Sequence, residues 1–320
     1  MASGKEKNIV LRRIFLIRLE KYGISTTMQA YYLLIITTLC WGLNAVFARM
    51  AVGEISPMLL VSVRWLGTLI LLSLFAGRAI IADLPAIRRN LGYTYLMGTA
   101  GLGGFGTLIY YSAYTTTAVN IGIIQGAMPA IVLVGSYFFF RTSVSLLQIG
   151  GVAVTILGVV FVSIHGEFER LMTLNFNTGD LLMLIAVLLY GSYTLGLRRK
   201  NDLSSIALFA SVVASAFIST LPLTIYEFVS GRTIWPELQD CILIGMIVLF
   251  PSFISQICFI ASVKLIGPVR SGMFINLVPI FASFFAVVLL EEDFELFHGL
   301  SLLLVLSGIY IFEKYKPITT

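Results

Sequence analysis

Long apolar runs separated by short polar stretches fill almost the whole sequence. Each run holds roughly 20 residues, which at about 1.5 Å of helix per residue matches the ~30 Å hydrocarbon layer of a bilayer. The pattern predicts ten transmembrane helices, near residues 29–50, 57–77, 91–113, 119–140, 145–164, 179–197, 204–228, 239–262, 268–290 and 296–313. The connections are short, the longest near 165–178, and none has room for a soluble domain. We therefore expect an all-α membrane protein.

The composition fits a chain that folds in lipid. Hydrophobic residues make up 58% of the chain and charged residues 12%, with a mean hydropathy of +0.96, against about 45–50% and about 25% in ordinary soluble domains. The three cysteines and the two distant histidines form no metal-ligand spacing and no nucleophile–base pair. We therefore expect no metal, no cofactor and no catalytic residue, which argues against an intramembrane enzyme.

The charges indicate how the chain crosses the membrane. If the N-terminus is cytoplasmic, 17 of the 21 basic residues fall in inner segments, and the outer loops keep only Arg170 and Arg232. Short loops with this bias follow the positive-inside rule. The bias predicts a multi-pass protein of the cell (inner) membrane with both termini in the cytoplasm. The net charge of +5 is then a topology signal and does not indicate a nucleic-acid partner.

Residues 1–28 do not read as a membrane span. The stretch 9–19 mixes Ile, Leu and Phe with Arg12, Arg13 and Arg18, and it shows no signal-peptide cleavage pattern. We interpret it as a basic amphipathic helix on the inner leaflet, with a dispensable extension as the alternative.

An internal repeat divides the ten helices into two halves, 29–164 and 179–313. A shift of 150 residues aligns Pro129 with Pro279, and a shift of 149 aligns Gly42 with Gly191. Because five is an odd number of spans, the second copy must enter the membrane from the opposite side. Such inverted repeats are typical of secondary transporters, which bind substrate near the midplane between the halves.

The aligned segments also carry a family resemblance. Residues 119–161 read VNIGIIQGAMPAIVLVGSYFFFRTSVSLLQIGGVAVTILGVVF, and residues 268–311 read PVRSGMFINLVPIFASFFAVVLLEEDFELFHGLSLLLVLSGIYI. Together they resemble the paired signatures of the EamA-type branch of the drug/metabolite transporter superfamily, in which a helical Pro is followed about thirteen residues later by Glu. The sequence departs from the pattern at Thr142, which replaces the first Glu, and at Ser301, which replaces a Gly.

The resemblance implies a central cavity lined by helices 1–4 and 6–9, with helices 5 and 10 at the periphery. The resemblance says little about the substrate, although exporters of amino acids and related metabolites are common in this family. We therefore expect alternating-access export of small polar metabolites, amino acids or their derivatives above all.

Candidate site residues are the polar and aromatic side chains near the middle of the predicted helices. A buried amide in hydrocarbon needs a partner, and a substrate would supply one. The predicted substrate-binding residues are Trp41, Asn44, Arg64, Tyr110, Tyr111, Gln125, Tyr190, Tyr193, Gln256 and Asn276. The predicted gating residues are the two kink-forming prolines Pro129 and Pro279, together with Glu292.

Arg64 stands out because it is a charge well inside a span. Such an arginine must pair, face water or extend to the interface. It would either anchor a substrate carboxylate, pair with Glu54 or Glu292, or simply fix the tilt of its helix.

Several alternatives stay open at this point. A sugar-phosphate or nucleotide-type exchanger would need paired basic residues at the cavity, for which Lys264 and Arg270 are the only candidates. A non-catalytic channel is a further alternative. The middle thirds of the spans hold no Asp or Glu, which favours facilitated diffusion or exchange over proton coupling. Small residues of helix 5 (Gly151, Thr155 and Gly158) would support either a homodimer or internal packing.

Overall fold

A computed structural model describes residues 25–199, 202–291 and 293–315. Residues 1–24 of the predicted basic segment 1–28 and the predicted gating residue Glu292 lie outside the described residues, and the end of that segment belongs to the first helix. The described chain folds into helices that we number α1 to α10: α1 Thr26–Met50, α2 Pro57–Ala82, α3 residues 91–112, α4 Asn120–Phe140, α5 Leu146–Ser163, α6 Thr178–Gly196, α7 Ser205–Val229, α8 Leu238–Ile266, α9 Pro268–Leu289 and α10 Leu296–Lys314.

Nine of these helices, all except α3, are long and apolar enough within the described residues to cross a membrane. The helix α3 consists of three consecutive pieces, Leu91–Gly98, Thr99–Gly104 and Phe105–Ser112, the middle one a π-helix. Its glycines and tyrosines make it less apolar than the others. The prediction of an all-α membrane fold is confirmed, with α3 as the least lipid-like of the ten segments.

Polar side chains cap the N-termini of several helices, where backbone N–H groups would otherwise lack hydrogen-bond acceptors. Ser145 and Gln148 form a capping box at α5, with side-chain to backbone distances of 3.1 and 3.2 Å. Asn177 and Asp180 do the same at α6. Each box satisfies two backbone donors that would otherwise be unpaired.

The helix pairings repeat when the two halves are exchanged. Helix α1 packs on α8 and α9, just as α6 packs on α3 and α4, while α2 packs on α7, α5 on α10 and α4 on α9. Exchanging each helix for its counterpart five positions away leaves this set of pairs unchanged. The pairings are those of two inverted repeats related by a pseudo-two-fold axis.

Two glycines make equivalent close approaches in the two halves. A Cβ placed on Gly42 of α1 would lie 2.6 Å from Cβ of Phe281 on α9, and one on Gly191 of α6 would lie 2.9 Å from Cγ2 of Ile131 on α4. Neither distance is allowed for a real Cβ. A larger residue at Gly42 would displace the α9 backbone, whereas one at Gly191 would displace the Ile131 side chain.

Helices α5 and α10 cross with their backbones nearly in contact. A Cβ on Gly151 would lie 2.7 Å from the Gly308 carbonyl oxygen, and one on Gly308 would lie 2.6 Å from the Gly151 carbonyl oxygen. Thr155 and Gly158 face α10 at the same crossing. The small residues of α5 are therefore used for packing inside the chain.

The two ends of the bundle are packed differently. We call the end at which α1 begins and α10 ends the near end, and the opposite end the far end. In α9, nearly every residue of 271–280 is buried, whereas none of 281–289 is. In α1, the buried residues likewise concentrate in the near half. Helices α1 and α9 are therefore more deeply buried toward the near end than toward the far end.

Candidate substrate site

Five aromatic rings from four helices meet in the middle of the bundle. The ring of Tyr190 on α6 lies 5.8 Å from that of Trp41 on α1, 4.9 Å from that of Phe105 on α3, 6.1 Å from that of Phe259 on α8 and 5.4 Å from that of Tyr193. Tyr190, Tyr193 and Phe259 are buried, while Trp41 and Phe105 are half-buried. This central aromatic cluster joins α1, α3, α6 and α8.

Hydroxyl and amide groups lie within the same cluster. The Tyr193 hydroxyl donates to Gln256 Oε1 at 3.5 Å, and Gln256 is only 4% exposed. The Tyr190 hydroxyl lies near the same amide but makes no hydrogen bond within the described chain. A buried hydroxyl without a partner is costly, so the Tyr190 hydroxyl would gain a hydrogen bond if the Gln256 amide or a bound polar molecule moved into reach.

Arg64 on α2 lies between α8 and α3. Its Nε donates to Ser252 Oγ at 3.0 Å, and its guanidinium carbon lies 5.0 Å from the centre of the Trp65 ring. Tyr110 lies close enough to interact with the guanidinium electrostatically. Ser252 is held in turn by its own bond to the Ile247 carbonyl. Arg64 forms no ion pair with Glu54 or with any other carboxylate of the described residues. Its positive charge is thus positioned by neutral groups only.

The predicted amides separate into two kinds. Asn44 on α1 and Gln125 on α4 are half-buried in the far half, and neither makes a side-chain hydrogen bond to another described residue. Asn276 is 1% exposed and donates to the Gly126 carbonyl at 3.2 Å and to Thr155 at 3.0 Å. The amide donors of Asn276 are therefore engaged by the protein, whereas those of Asn44 and Gln125 are available.

The two predicted tyrosines of α3 lie in different environments. Tyr110 is half-buried beside Arg64. Tyr111 is 38% exposed and its ring lies 6.3 Å from that of Tyr114, near Glu227. Adjacent positions on a helix point about 100° apart, so Tyr111 lies away from the central aromatic cluster.

The helices that line the site are interrupted at equivalent positions. Helix α4 breaks at Ala127 before Pro129, and α9 tightens to a 3₁₀ turn over Phe274–Asn276 before Pro279. The π-helix Thr99–Gly104 in α3 has its counterpart in Val248–Ile254 of α8. Irregular turns inside membrane helices occur where protein or a cavity satisfies the freed backbone groups.

An ion-pair cluster ties helices together at the near end. Arg270 on α9 donates from Nε and Nη2 to both carboxylate oxygens of Glu313 on α10, at 2.8 and 2.7 Å. The Tyr31 hydroxyl of α1 donates to the same carboxylate at 2.5 Å and accepts from Arg270. Lys264 donates to Ser205 Oγ at 2.9 Å. Lys264 and Arg270, the candidate pair for a phosphate site, are therefore engaged with groups of the chain itself.

Sequence analysis did not identify three residues of the candidate site. Phe105 lies in the glycine-rich run of α3, Phe259 stands three residues after Gln256, and Ser252 follows Pro251 in the π-helix of α8. Apolar rings are indistinguishable by type from lipid-facing ones, so no signal marks the first two. Ser252 could have been identified, because it is a polar residue next to a proline inside an apolar run.

A family model matches most of the chain. The model of the EamA-like transporter family matches residues 28–164 and again residues 177–313. The two matches coincide with the two helical halves described above. The family description thus covers the same repeat that the helix pairings display.

Several curated transporters are similar to this chain. The uncharacterized transporter YetK of Bacillus subtilis (strain 168) is 24% identical over 98% of this chain and 96% of its own length. An uncharacterized transporter of Methanothermobacter thermautotrophicus is 28% identical over 61% of this chain and 57% of its own length. An uncharacterized transporter of Archaeoglobus fulgidus is 23% identical over 88% of this chain and 96% of its own length.

A solved crystal structure shares the fold. It superposes with a TM-score of 0.72, covering 90% of this chain and 98% of the other, at 14% sequence identity. At this identity the similarity concerns the fold alone.

Proposed function

The chain belongs to the EamA-like transporter family, and we propose that it exports small polar metabolites, amino acids or their derivatives, across the cytoplasmic membrane by alternating access. In this proposal the substrate binds beside the central aromatic cluster, on the side of the far end. Both termini face the cytoplasm, as the basic residues of the inner segments require under the positive-inside rule. The far end is then the outer end, and in this proposal the substrate reaches the site from there.

The observation that carries the substrate class is Arg64. It is a cation inside a membrane helix with no carboxylate partner among the described residues, and it is aimed by Ser252. A carboxylate from a substrate would supply the missing charge through charge-assisted hydrogen bonds, the strong kind that arginine makes. Half-buried Trp41 and Phe105 offer apolar faces for the rest of such a molecule, and Asn44 and Gln125 offer uncommitted amides.

A phosphate-bearing substrate is less well supported. Recognition of phosphate favours clustered cations, and the candidate pair Lys264 and Arg270 lies at the near end. The Arg270 guanidinium is neutralised by Glu313 through two hydrogen bonds. Arg64 instead lies beside α8 and α3, two of the helices that supply the central aromatic cluster.

The proposed energetics are exchange or facilitated diffusion. The described carboxylates of the spans lie in end turns, such as Asp180 at the start of α6 and Glu313 near the end of α10. A proton-coupled carrier normally keeps a protonatable group near the midplane. Transport that runs on the substrate gradient alone fits this distribution.

Counterflow in liposomes tests the proposal. Purified protein is reconstituted with one unlabelled amino acid inside, and uptake of the labelled compound is measured with and without a pH gradient, over a panel of amino acids. We expect transient accumulation for some members of the panel, unchanged by the pH gradient. Accumulation of phosphorylated solutes only would overturn the substrate class, and uptake without any trans-stimulation would indicate a channel.

A further inference from the structure

A cavity lies outside the central aromatic cluster, between α2, α3 and α7. Its volume is about 590 Å³, and it occupies the near half of the bundle. Four small residues of α7 form its floor: Ala210, Ser211, Ala214 and Ser215. The walls are apolar side chains of α2 and α3, among them Leu69 and Leu91. We call this cavity the α2/α3/α7 groove.

The groove opens sideways, toward the surface that faces lipid. Of its lining residues, Leu91 is 55% exposed, Tyr95 52% and Ile218 56%. The floor hydroxyls are already engaged, since Ser211 donates to the Ala207 carbonyl and Ser215 to the Ser211 carbonyl, both at 2.8 Å. An apolar space at hydrocarbon depth with few polar partners suits an acyl chain better than water.

Basic residues lie where the groove meets the near end. The lining residues Ile87 and Leu91 flank Arg88, Arg89 and Asn90. Asn90 and Arg89 both donate to Asp202, which lowers the pKa of that carboxyl. Arg88 is exposed and forms no ion pair in the described part of the chain. Arg88 is therefore a cation without a carboxylate partner in the described chain, at headgroup depth beside the groove.

We propose that the α2/α3/α7 groove is a binding site for one anionic phospholipid, with an acyl chain between the three helices and its phosphate at Arg88. The charge of Arg88 complements the phosphate. The small floor residues of α7 make the groove deep enough for the acyl chain. Gly92 lines the mouth of the groove, and a Cβ placed there would meet no atom within 4 Å. The mouth is therefore open at the position directly below the basic residues.

Native mass spectrometry of the full chain in detergent tests the acyl-chain half of the proposal. Dioleoyl phosphatidylglycerol and dioleoyl phosphatidylcholine are added in turn to delipidated protein, and bound lipid is counted. Gly92→Phe places a ring in the groove and should lower phosphatidylglycerol binding at least tenfold. The matched control is Gly150→Phe on α5, where a Cβ also meets no atom within 4 Å and where binding should equal that of the wild type. Equal binding by both variants would overturn the site and indicate lipid held only around the perimeter.

A second pair of variants tests the phosphate half. Arg88→Gln should weaken phosphatidylglycerol binding about fivefold, the effect of one cation near a membrane surface, with phosphatidylcholine much less affected. The control is Arg78→Gln, because Arg78 stands two residues before the lining residue Ile80, which puts it on the opposite face of α2. Equal losses for Arg88→Gln and Arg78→Gln would show general surface attraction and would overturn the assignment of Arg88.

Discussion

Replacing Arg64 by glutamine is the sharpest single perturbation of the proposed site. The side chain keeps part of its length and can still hydrogen-bond to Ser252, but it loses the charge that no carboxylate of the described residues balances. A hydrogen bond to a charged group contributes about 1.5–3 kcal/mol. At about 1.4 kcal/mol per factor of ten, we expect the KM for a carboxylate substrate in counterflow to rise roughly 10- to 100-fold.

The prediction is specific for the carboxylate, and the assay is designed to test that. Each transported amino acid is compared with the amine that lacks its carboxyl group, in wild type and in Arg64→Gln. The amine should be a poor substrate for both proteins, with little difference between them. Arg232→Gln, a neutralisation of an exposed far-end loop residue, controls for the loss of one outer positive charge and should leave KM unchanged.

Two results would refute this reasoning about Arg64. One is a KM for the amino acid that stays within a factor of two of wild type in Arg64→Gln, which would make the arginine a structural residue. The other is an equal loss for amino acid and amine together with a lowered melting temperature, which would show general damage to the site. Melting curves of the purified variants separate the second result from true loss of recognition.

Three further predictions concern packing and the site. Gly151→Leu should lower the melting temperature by an amount equivalent to about 1–3 kcal/mol or more, because its Cβ would lie 2.7 Å from a backbone oxygen. The control Gly150→Leu, whose Cβ would have no atom within 4 Å, should melt like wild type. Glu313→Gln should lower the free energy of unfolding by about 2 kcal/mol, a value between those for exposed and buried ion pairs, because it removes the negative charge that pairs with Arg270. An unchanged melting temperature would contradict this. Tyr190→Phe should leave the melting temperature unchanged or higher, since the lost hydroxyl has no partner, but should raise the counterflow KM about fivefold; an unchanged KM would remove this hydroxyl from the site.

The sequence predicted the scaffold well because bilayer thickness sets the length of each apolar run. The predicted spans agree with α1 to α10 to within a few residues at most ends, and the shift that pairs Pro129 with Pro279 marks equivalent breaks in α4 and α9. The largest difference is α2, which continues to Ala82. Its last turns carry Arg78, whose charge made the predicted span end too early.

The pairing of π-helices could not be predicted from matched residue types. Pro251 in α8 stands opposite Gly101 in α3 at the repeat shift, and two such different residues gave no sign of a shared structure. Both nevertheless lie in π-helical turns. Proline removes a backbone donor and glycine relaxes the backbone, so each residue weakens the regular helix by a different route.

Site membership was harder to predict, because a polar residue in a span can serve either the protein or a ligand. Asn276 and Asn44 look alike in sequence, yet the first bonds to the Gly126 carbonyl and the second bonds to no described residue. That distinction depends on which neighbouring helix has a free acceptor, and only the assembled bundle contains that information. The same limit explains why Phe105 and Phe259 were not singled out.

The most direct measurement is the accessibility of two positions on α1 to a membrane-impermeant maleimide applied from outside, in a variant whose three native cysteines are replaced. Asn44 is half-buried in the far half of α1, and Thr37 lies two turns deeper and is 0% exposed. The account predicts rapid labelling of Asn44→Cys, slowed by a substrate identified in counterflow, and no labelling of Thr37→Cys. Equal labelling of both positions, or labelling of Asn44→Cys that substrate does not slow, would contradict a carrier whose binding site in the far half is reached from outside.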